Sequence, residues 1–211
     1  MAELHGIPPG RAGRLWLESR VAAGRSAADL LDRRLRLLLG EQERFRLLEE
    51  RTGQRWRGAW RRADEWALRA TFLAGPRELA ACAPDGAADV GIAWDSVMGV
   101  RYPVEASCRP AQLSTQDRGP GSAALQATIT AVTEAIQAAA DHAAAAAARA
   151  TIEAEVAANR RRLRAITHRR LPQLETALSA LRRGMEETER AETLRLRWAA
   201  DRRDGRGAAA W

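Results

Sequence analysis

Apolar side chains recur along two long stretches of the chain in alternating steps of three and four residues, and this rhythm predicts most of the fold. In the first stretch the stripe passes through Leu17, Val21, Gly24, Ala28, Leu31, Leu35, Leu38, Gln42, Phe45, Glu49, Thr52, Trp56, Ala59, Ala63, Trp66, Ala70 and Leu73. That spacing holds one narrow seam against a partner helix and favours a left-handed supercoil. No proline occurs between Arg11 and Leu73, so a single helix about 95 Å long is expected at the usual rise per residue. The polar stripe positions Gln42, Glu49 and Thr52, with Gly40, Gly53 and Gly58 nearby, mark residues 40–58 as the weak part of this helix. A break into two helices there stays open.

The second stretch begins with Leu125, Ile129, Val132 and Ile136, thins to alanine from Ala138 to Ala150, and resumes through Ile152, Val156, Leu163, Ile166, Leu171, Leu174, Leu178, Leu181 and Met185. The rhythm holds within blocks and slips between them, as stutters do. Pro172 removes one backbone donor from this helix, which predicts a kink or local break near it.

Between the two stretches the period changes. Gly75-Pro76 ends the first helix. Val90, Ile92 and Trp94, then Val100, Tyr102 and Val104, alternate with other residues on either side of a short turn at Asp95 to Gly99, which predicts a β-hairpin. Pro103 confines its strand to a sheet edge. Turn residues at Pro84-Asp85-Gly86 and Pro110, and a loose stretch over 114–122, complete this middle segment. The expected organisation is a flexible tail over 1–10, a first long helix over 11–74, a middle module over 75–122 with its hairpin at about 90–105, a second long helix over 123–200, and a flexible tail over 201–211. The fold class is mainly α: a long antiparallel two-helix coiled coil with a small middle module containing a β-hairpin.

Composition agrees with a thin core. Aromatic residues are 5% of the chain, too few for a thick globular interior but enough for the seam of a helix pair. The formal net charge is +7, and every basic residue in it is Arg. Without lysine there is no Walker A phosphate loop and no Schiff-base chemistry. Arg alternates with Glu and Asp along most of the chain, as in Glu41, Glu43, Arg44, Arg46, Glu49, Glu50 and Arg51; mixed signs of this kind read as solvated helix faces, not as a nucleic-acid footprint. Cys82 and Cys108 lack metal-site spacing and suit a reducing compartment. No apolar run approaches the roughly 18 residues of a membrane span, and the amino terminus lacks the apolar core of a signal peptide. A cytoplasmic protein is expected, with any membrane link made through a partner.

Candidate chemistry is sparse. His168, beside Arg169 and Arg170, has no nucleophile or carboxylate pair to work with, and His142 in the alanine run reads as solvent-facing. Glu186, Glu187 and Glu189 do not share one helical face, so they read as a solvated surface. Trp56, Trp60 and Trp66 fall on or near the stripe and read as packing residues. No catalytic residue, cofactor or metal site is expected.

Three stretches resemble the D subunit of the V-type and archaeal-type ATPases. They are Gly13-Arg14-Leu15 through Ala28-Asp29-Leu30-Leu31-Asp32-Arg33-Arg34; the hairpin Ser96-Val97-Met98-Gly99-Val100-Arg101-Tyr102-Pro103-Val104; and Asn159-Arg160-Arg161-Arg162-Leu163-Arg164-Ala165-Ile166 followed by Leu171-Pro172 and by Met185-Glu186-Glu187-Thr188-Glu189-Arg190-Ala191-Glu192. The likeness runs in order over roughly residues 11–200. The absence of Lys and the alanine run from Ala143 to Ala148 depart from the family's usual pattern.

The resemblance implies a non-catalytic central-stalk rotor component that transmits torque between an A/B catalytic ring and the membrane sector, where protons or sodium ions move. The implied partners are the A and B proteins of the catalytic ring, the small F protein of the rotor, and a connecting protein named C or d. Under this reading Met98, Gly99, Val100, Tyr102 and Pro103 of the hairpin bear on F or the connecting protein. Arg14, Arg20, Arg195 and Arg197, near the chain ends, meet carboxylates of the ring. The rival readings are a scaffolding coiled coil with no rotary role and an Arg-driven nucleic-acid binder built on Arg160-Arg161-Arg162 and Arg202-Arg203.

Overall fold

The computed structural model describes residues 6–82, 84, 86–109, 111 and 121–207, with side chains as far as 202. The loose stretch expected over 114–122 lies outside the described residues as far as 120, as do 1–5 of the first tail, 208–211 of the second, Asp85 and Pro110. The elements are α1 (Gly10–Ala74), α2 (Pro76–Ala81), β1 (Asp89–Val97), β2 (Val100–Arg109), α3 (Ala123–Ala165), a π-helical turn (Ile166–Arg170) and α4 (Leu171–Gly207). The chain is mainly α, with two long helical stretches around one antiparallel hairpin. It divides into two compact units, Arg34–Ala158 and Met1–Arg33 with Asn159–Trp211.

Within Arg34–Ala158, α1 and α3 run antiparallel. Ion pairs between them step forward along one helix as they step back along the other: Arg34–Glu155 at 3.0 Å, Glu49–Arg149 at 2.7 Å, Arg55–Asp141 at 3.8 Å and Arg62–Glu134 at 3.6 Å. Three buried clusters fill the seam. Leu38, Phe45, Ala148, Ile152 and Val156 pack with Tyr102 of β2. Ala59, Ala63, Ala131, Ala135 and Ala138 meet under Trp56, Trp66 and Val132. Ala70, Ala124 and Leu125 close the far end against Ala74, Leu79 and Cys82. The middle cluster differs from the sequence expectation: Ile129, Val132 and Ile136 are half-buried, and the centre of the seam is alanine. Alanine layers let two helices approach closely, and the tryptophans of α1 roof the contact from its flank. Leu73, expected as the last stripe residue, is 76% exposed, because the seam continues through Ala70 and Ala74.

Helix α1 is unbroken across residues 40–58. Its polar stripe positions are compensated from α3. Glu49 accepts from Arg149, and Gln42 donates to Glu153 at 3.4 Å. Charged and amide groups thus meet across the half-buried seam, and the helix continues through its glycines.

The hairpin joins β1 and β2 in the register Val97↔Val100, Asp95↔Tyr102, Trp94↔Pro103 and Ala93↔Glu105, with an irregularity between Ala93 and Trp94 that leaves Val104 as the extra residue. Its turn is two residues long. Asp95, Ser96 and Val97, expected within the turn, belong to β1. Met98 and Gly99 both have positive φ, at 51° and 78°, the requirement of a type I′ turn, whose twist matches that of the strands it joins.

In the unit formed by Met1–Arg33 and Asn159–Trp211, Leu17 and Val21 of α1 pack on Leu174 and Leu178 of α4, with Trp16, Leu171 and Leu181 around them. Arg25–Glu175 and Arg182–Glu18, both at 2.7 Å, flank this core in antiparallel order. At Pro172 the backbone passes through a π turn, in which the Leu171 N–H bonds to the Ile166 carbonyl. Pro172 cannot donate and its ring crowds the carbonyl four residues before it. The wider π loop accommodates both, and Pro172 then falls in the first turn of α4, where its missing donor is harmless. Helix α4 continues to Gly207, past the expected end near Ala200.

Candidate partner-binding surfaces

The hairpin is anchored on one side only. Tyr102 is buried and meets Phe45 edge to face, with ring centroids 4.8 Å apart. Its hydroxyl donates to Asp95 Oδ2 at 3.3 Å, and burial, reinforced by the Asp95 carboxylate, pushes the phenol above its ordinary pKa. Gln137 of α3 clamps the outer edge of β2. Its Nε2 donates to the Ala106 carbonyl and its Oε1 accepts from the Cys108 N–H, both at 2.8 Å. The carboxamide thus stands where the peptide group of a third strand would be. Among the described residues, β1 has no strand on its outer side.

This anchoring divides the expected hairpin site. Tyr102 is buried and Val100 half-buried against the Phe45 cluster, so these two hold the hairpin down, whereas Pro103, also buried, is the register partner of Trp94 on the opposite face. Met98 and Gly99 are exposed at the turn. The surface that faces outward is one the sequence reading did not select: Val90, Ile92 and Trp94, about half exposed at 49%, 50% and 50%, with Met98 and Val104 beside them. Arg101 lies over the Trp94 ring, 4.8 Å from its centroid. The alternation of Val90, Ile92 and Trp94 was visible; what hid their direction was the turn length. With a two-residue turn, Val97 and Val100 share a face with Tyr102, and the register then turns Val90, Ile92 and Trp94 to the opposite face.

The four expected ring-contact arginines are all exposed. Arg14 lies 3.8 Å from Glu18, which itself accepts from Arg182, and Arg20 lies over Trp16 at 5.1 Å. Arg195 and Arg197 belong to a different environment. Beyond Met185 every described side chain of α4 is exposed, and among them Leu194, Leu196 and Trp198 are 63%, 73% and 65% exposed. Sequence reasoning selected the charges here and passed over the apolar residues between them.

Among the described residues no group of three or more His, Cys, Asp or Glu is placed to hold a metal ion. His168 and the Glu186, Glu187 and Glu189 side chains are exposed. Trp56 and Trp66 pack on the alanine cluster, whereas Trp60 is 50% exposed and off the seam. His142 departs from expectation: it is half-buried and stacks on Trp56 instead of facing solvent. Among the described residues no helix is long and apolar enough to cross a membrane.

A helix pair with an inserted hairpin, bare apolar residues on that hairpin and a bare end on its last helix define a structural component gripped by other proteins, a stalk-type part of a larger assembly. A family model describing the D subunit of ATP synthase matches residues 15–201, and the chain belongs to that family. It is a stalk component of a rotary ATPase and associates with that complex. Comparison with curated proteins finds no match.

Proposed function

We propose that this chain is the central rotor shaft of its rotary ATPase, transmitting torque between ATP hydrolysis or synthesis in an A/B catalytic ring and proton or sodium movement through the membrane sector. The chain catalyses nothing itself. It lies on the cytoplasmic side, held to the membrane through its partners. The observation that carries this reading is the end of α4, where Leu194, Leu196 and Trp198 are 63%, 73% and 65% exposed on a stretch whose described side chains beyond Met185 are all exposed. A ring that encloses this end supplies the missing cover, and Arg195 and Arg197 meet its carboxylates as Arg14 and Arg20 do from α1. Elsewhere the faces are mixed in charge, as a surface that must pass several proteins without adhering to any one requires.

The hairpin serves a partner of the rotor, either F or the connecting protein, through Met98, Gly99 and the row of Val90, Ile92 and Trp94. Tyr102 and Val100 support it from beneath. The test is reconstitution with A, B, F and the connecting protein. The full chain co-purifies with the A/B ring, and a chain ending at Met185 co-purifies poorly and fails to couple ATP turnover to ion movement. Full coupling by the truncated chain contradicts the proposal.

A further inference from the structure

In the stretch of seam facing Thr52 to Ala63, the buried residues of α3 are alanine: Ala131, Ala135, Ala138, Ala144 and Ala145. Layers of methyl groups attract one another but offer little steric resistance to sliding. Larger knobs seated in defined holes are what normally fix the register of a helix pair. Besides Val132, which flanks the alanine cluster, α3 brings the half-buried ring of His142 into this stretch of seam.

Three neighbouring residues of α1 receive it. Gly53 is buried, and a Cβ added there would lie 3.2 Å from His142 Cε1, so the missing side chain is what makes room for the ring. Trp56 stacks on the imidazole, with centroids 5.4 Å apart and planes 18° from parallel. Thr52 Oγ1 lies 3.3 Å from Nδ1. The direction of this last bond depends on the histidine tautomer. The Thr52 hydroxyl has one hydrogen, and it is directed to the α1 carbonyls of Leu48 and Glu49 at 2.9 and 3.1 Å. With the hydroxyl hydrogen so directed, the contact takes Nδ1–H as its donor, which fixes the tautomer that the bond requires.

We propose that His142 is a register key for the alanine seam: seated over Gly53, backed by Trp56 and bonded through Nδ1–H to Thr52, it stops α1 and α3 from sliding where alanine alone would not. The inference needs only the helix pair of residues 34–158 and stands independently of the rotor reading.

Two measurements on the full chain test it. Long-range proton–nitrogen spectra at alkaline pH, with histidine labelled and the His142 signals assigned by their loss in H142Q, show Nδ1 protonated. T52V shifts the ring towards Nε2–H. Spin labels at positions 62 and 134, which face each other across the seam, are placed in a chain with Cys82 and Cys108 replaced by serine. They give one narrow distance distribution that broadens or gains a second maximum in H142A. Alanine is a better helix former than histidine, so H142A keeps its helices and the broadening reports lost register. An Nε2–H ring in the otherwise unmodified chain overturns the proposal, and so does an H142A distance distribution that superimposes on that of the parent.

Discussion

Arg149 of α3 reaches across the seam to Glu49 of α1 at 2.7 Å while its Nε holds Glu153 of its own helix at 2.9 Å. Glu49 interrupts the apolar stripe of α1, and Arg149 pairs with it across the seam. The Arg149 hydrogen bond holds the Glu153 carboxyl below its ordinary pKa; burial opposes this and the Gln42 amide adds to it. A carboxyl depressed by folding contributes stability above its unfolded value, near 4.3, and loses it as pH falls through the lower folded value. Thermal melts of the parent chain are therefore expected to fall more steeply below about pH 4 than those of E153Q. The pair is partly exposed, so 1 M salt should shrink the difference. Parallel pH profiles for the two chains would contradict the assignment.

The glycines of α1 are expected to separate by what faces them. A Cβ at Gly40 or Gly58 meets nothing within 4 Å, whereas one at Gly53 meets His142. Alanine gains up to about 1 kcal/mol over glycine in a helix interior. G40A and G58A should each raise stability by roughly that amount, read as a higher urea midpoint at unchanged slope. G53A should gain nothing or fall below the parent, because the same propensity gain is offset by displacing the imidazole.

Met98 is held at φ 51° in the hairpin turn, a conformation that costs an ordinary residue about 1–2 kcal/mol and that asparagine tolerates better. M98N should stabilise the chain by about 1 kcal/mol in urea unfolding. Strain kept at an exposed position points to use. If the hairpin bears on a rotor partner as proposed, the same variant is expected to weaken that binding, measured by titration with F and with the connecting protein. A variant that is more stable and binds both partners as before would assign Met98 to the turn alone.

Phe45 links the helix pair to the hairpin through its edge-to-face contact with Tyr102. F45A should cost about 3–5 kcal/mol, the usual range for truncating a buried phenylalanine. It should also speed amide exchange in β2 beyond the change in α3. Equal acceleration in both elements would mean that the hairpin does not depend on this contact.

Much of this architecture was legible because the 3–4 rhythm is long. Leu17, Val21, Leu38, Phe45, Ala59, Ala63 and Ala70 are buried where the stripe places them, and no competing period accounts for so many positions. Period two located the hairpin for the same reason. What escaped was decided by single side chains or by backbone geometry. Small alanines give no sign of which face meets α1, so the larger Ile129, Val132 and Ile136, half-buried in the fold, stand out in the sequence over the buried Ala131, Ala135 and Ala138. The direction of the hairpin turned on two φ angles. His142 read as solvent-facing because the hole that receives it is a glycine on the other helix, 89 positions away in the chain. At the candidate surfaces the charges of Arg195 and Arg197 were conspicuous, and the apolar residues between them have meaning only once α4 is seen to continue alone.

The central claim, that this chain turns, is open to direct observation. With Cys82 and Cys108 replaced by serine, A88C in the exposed segment before β1 carries a biotin and a bead, and the assembled complex is fixed to a surface through its catalytic ring. The account predicts stepwise rotation of the bead in one direction when ATP is supplied, stopping when ATP is withdrawn. A bead that stays still while the same complexes hydrolyse ATP would contradict it.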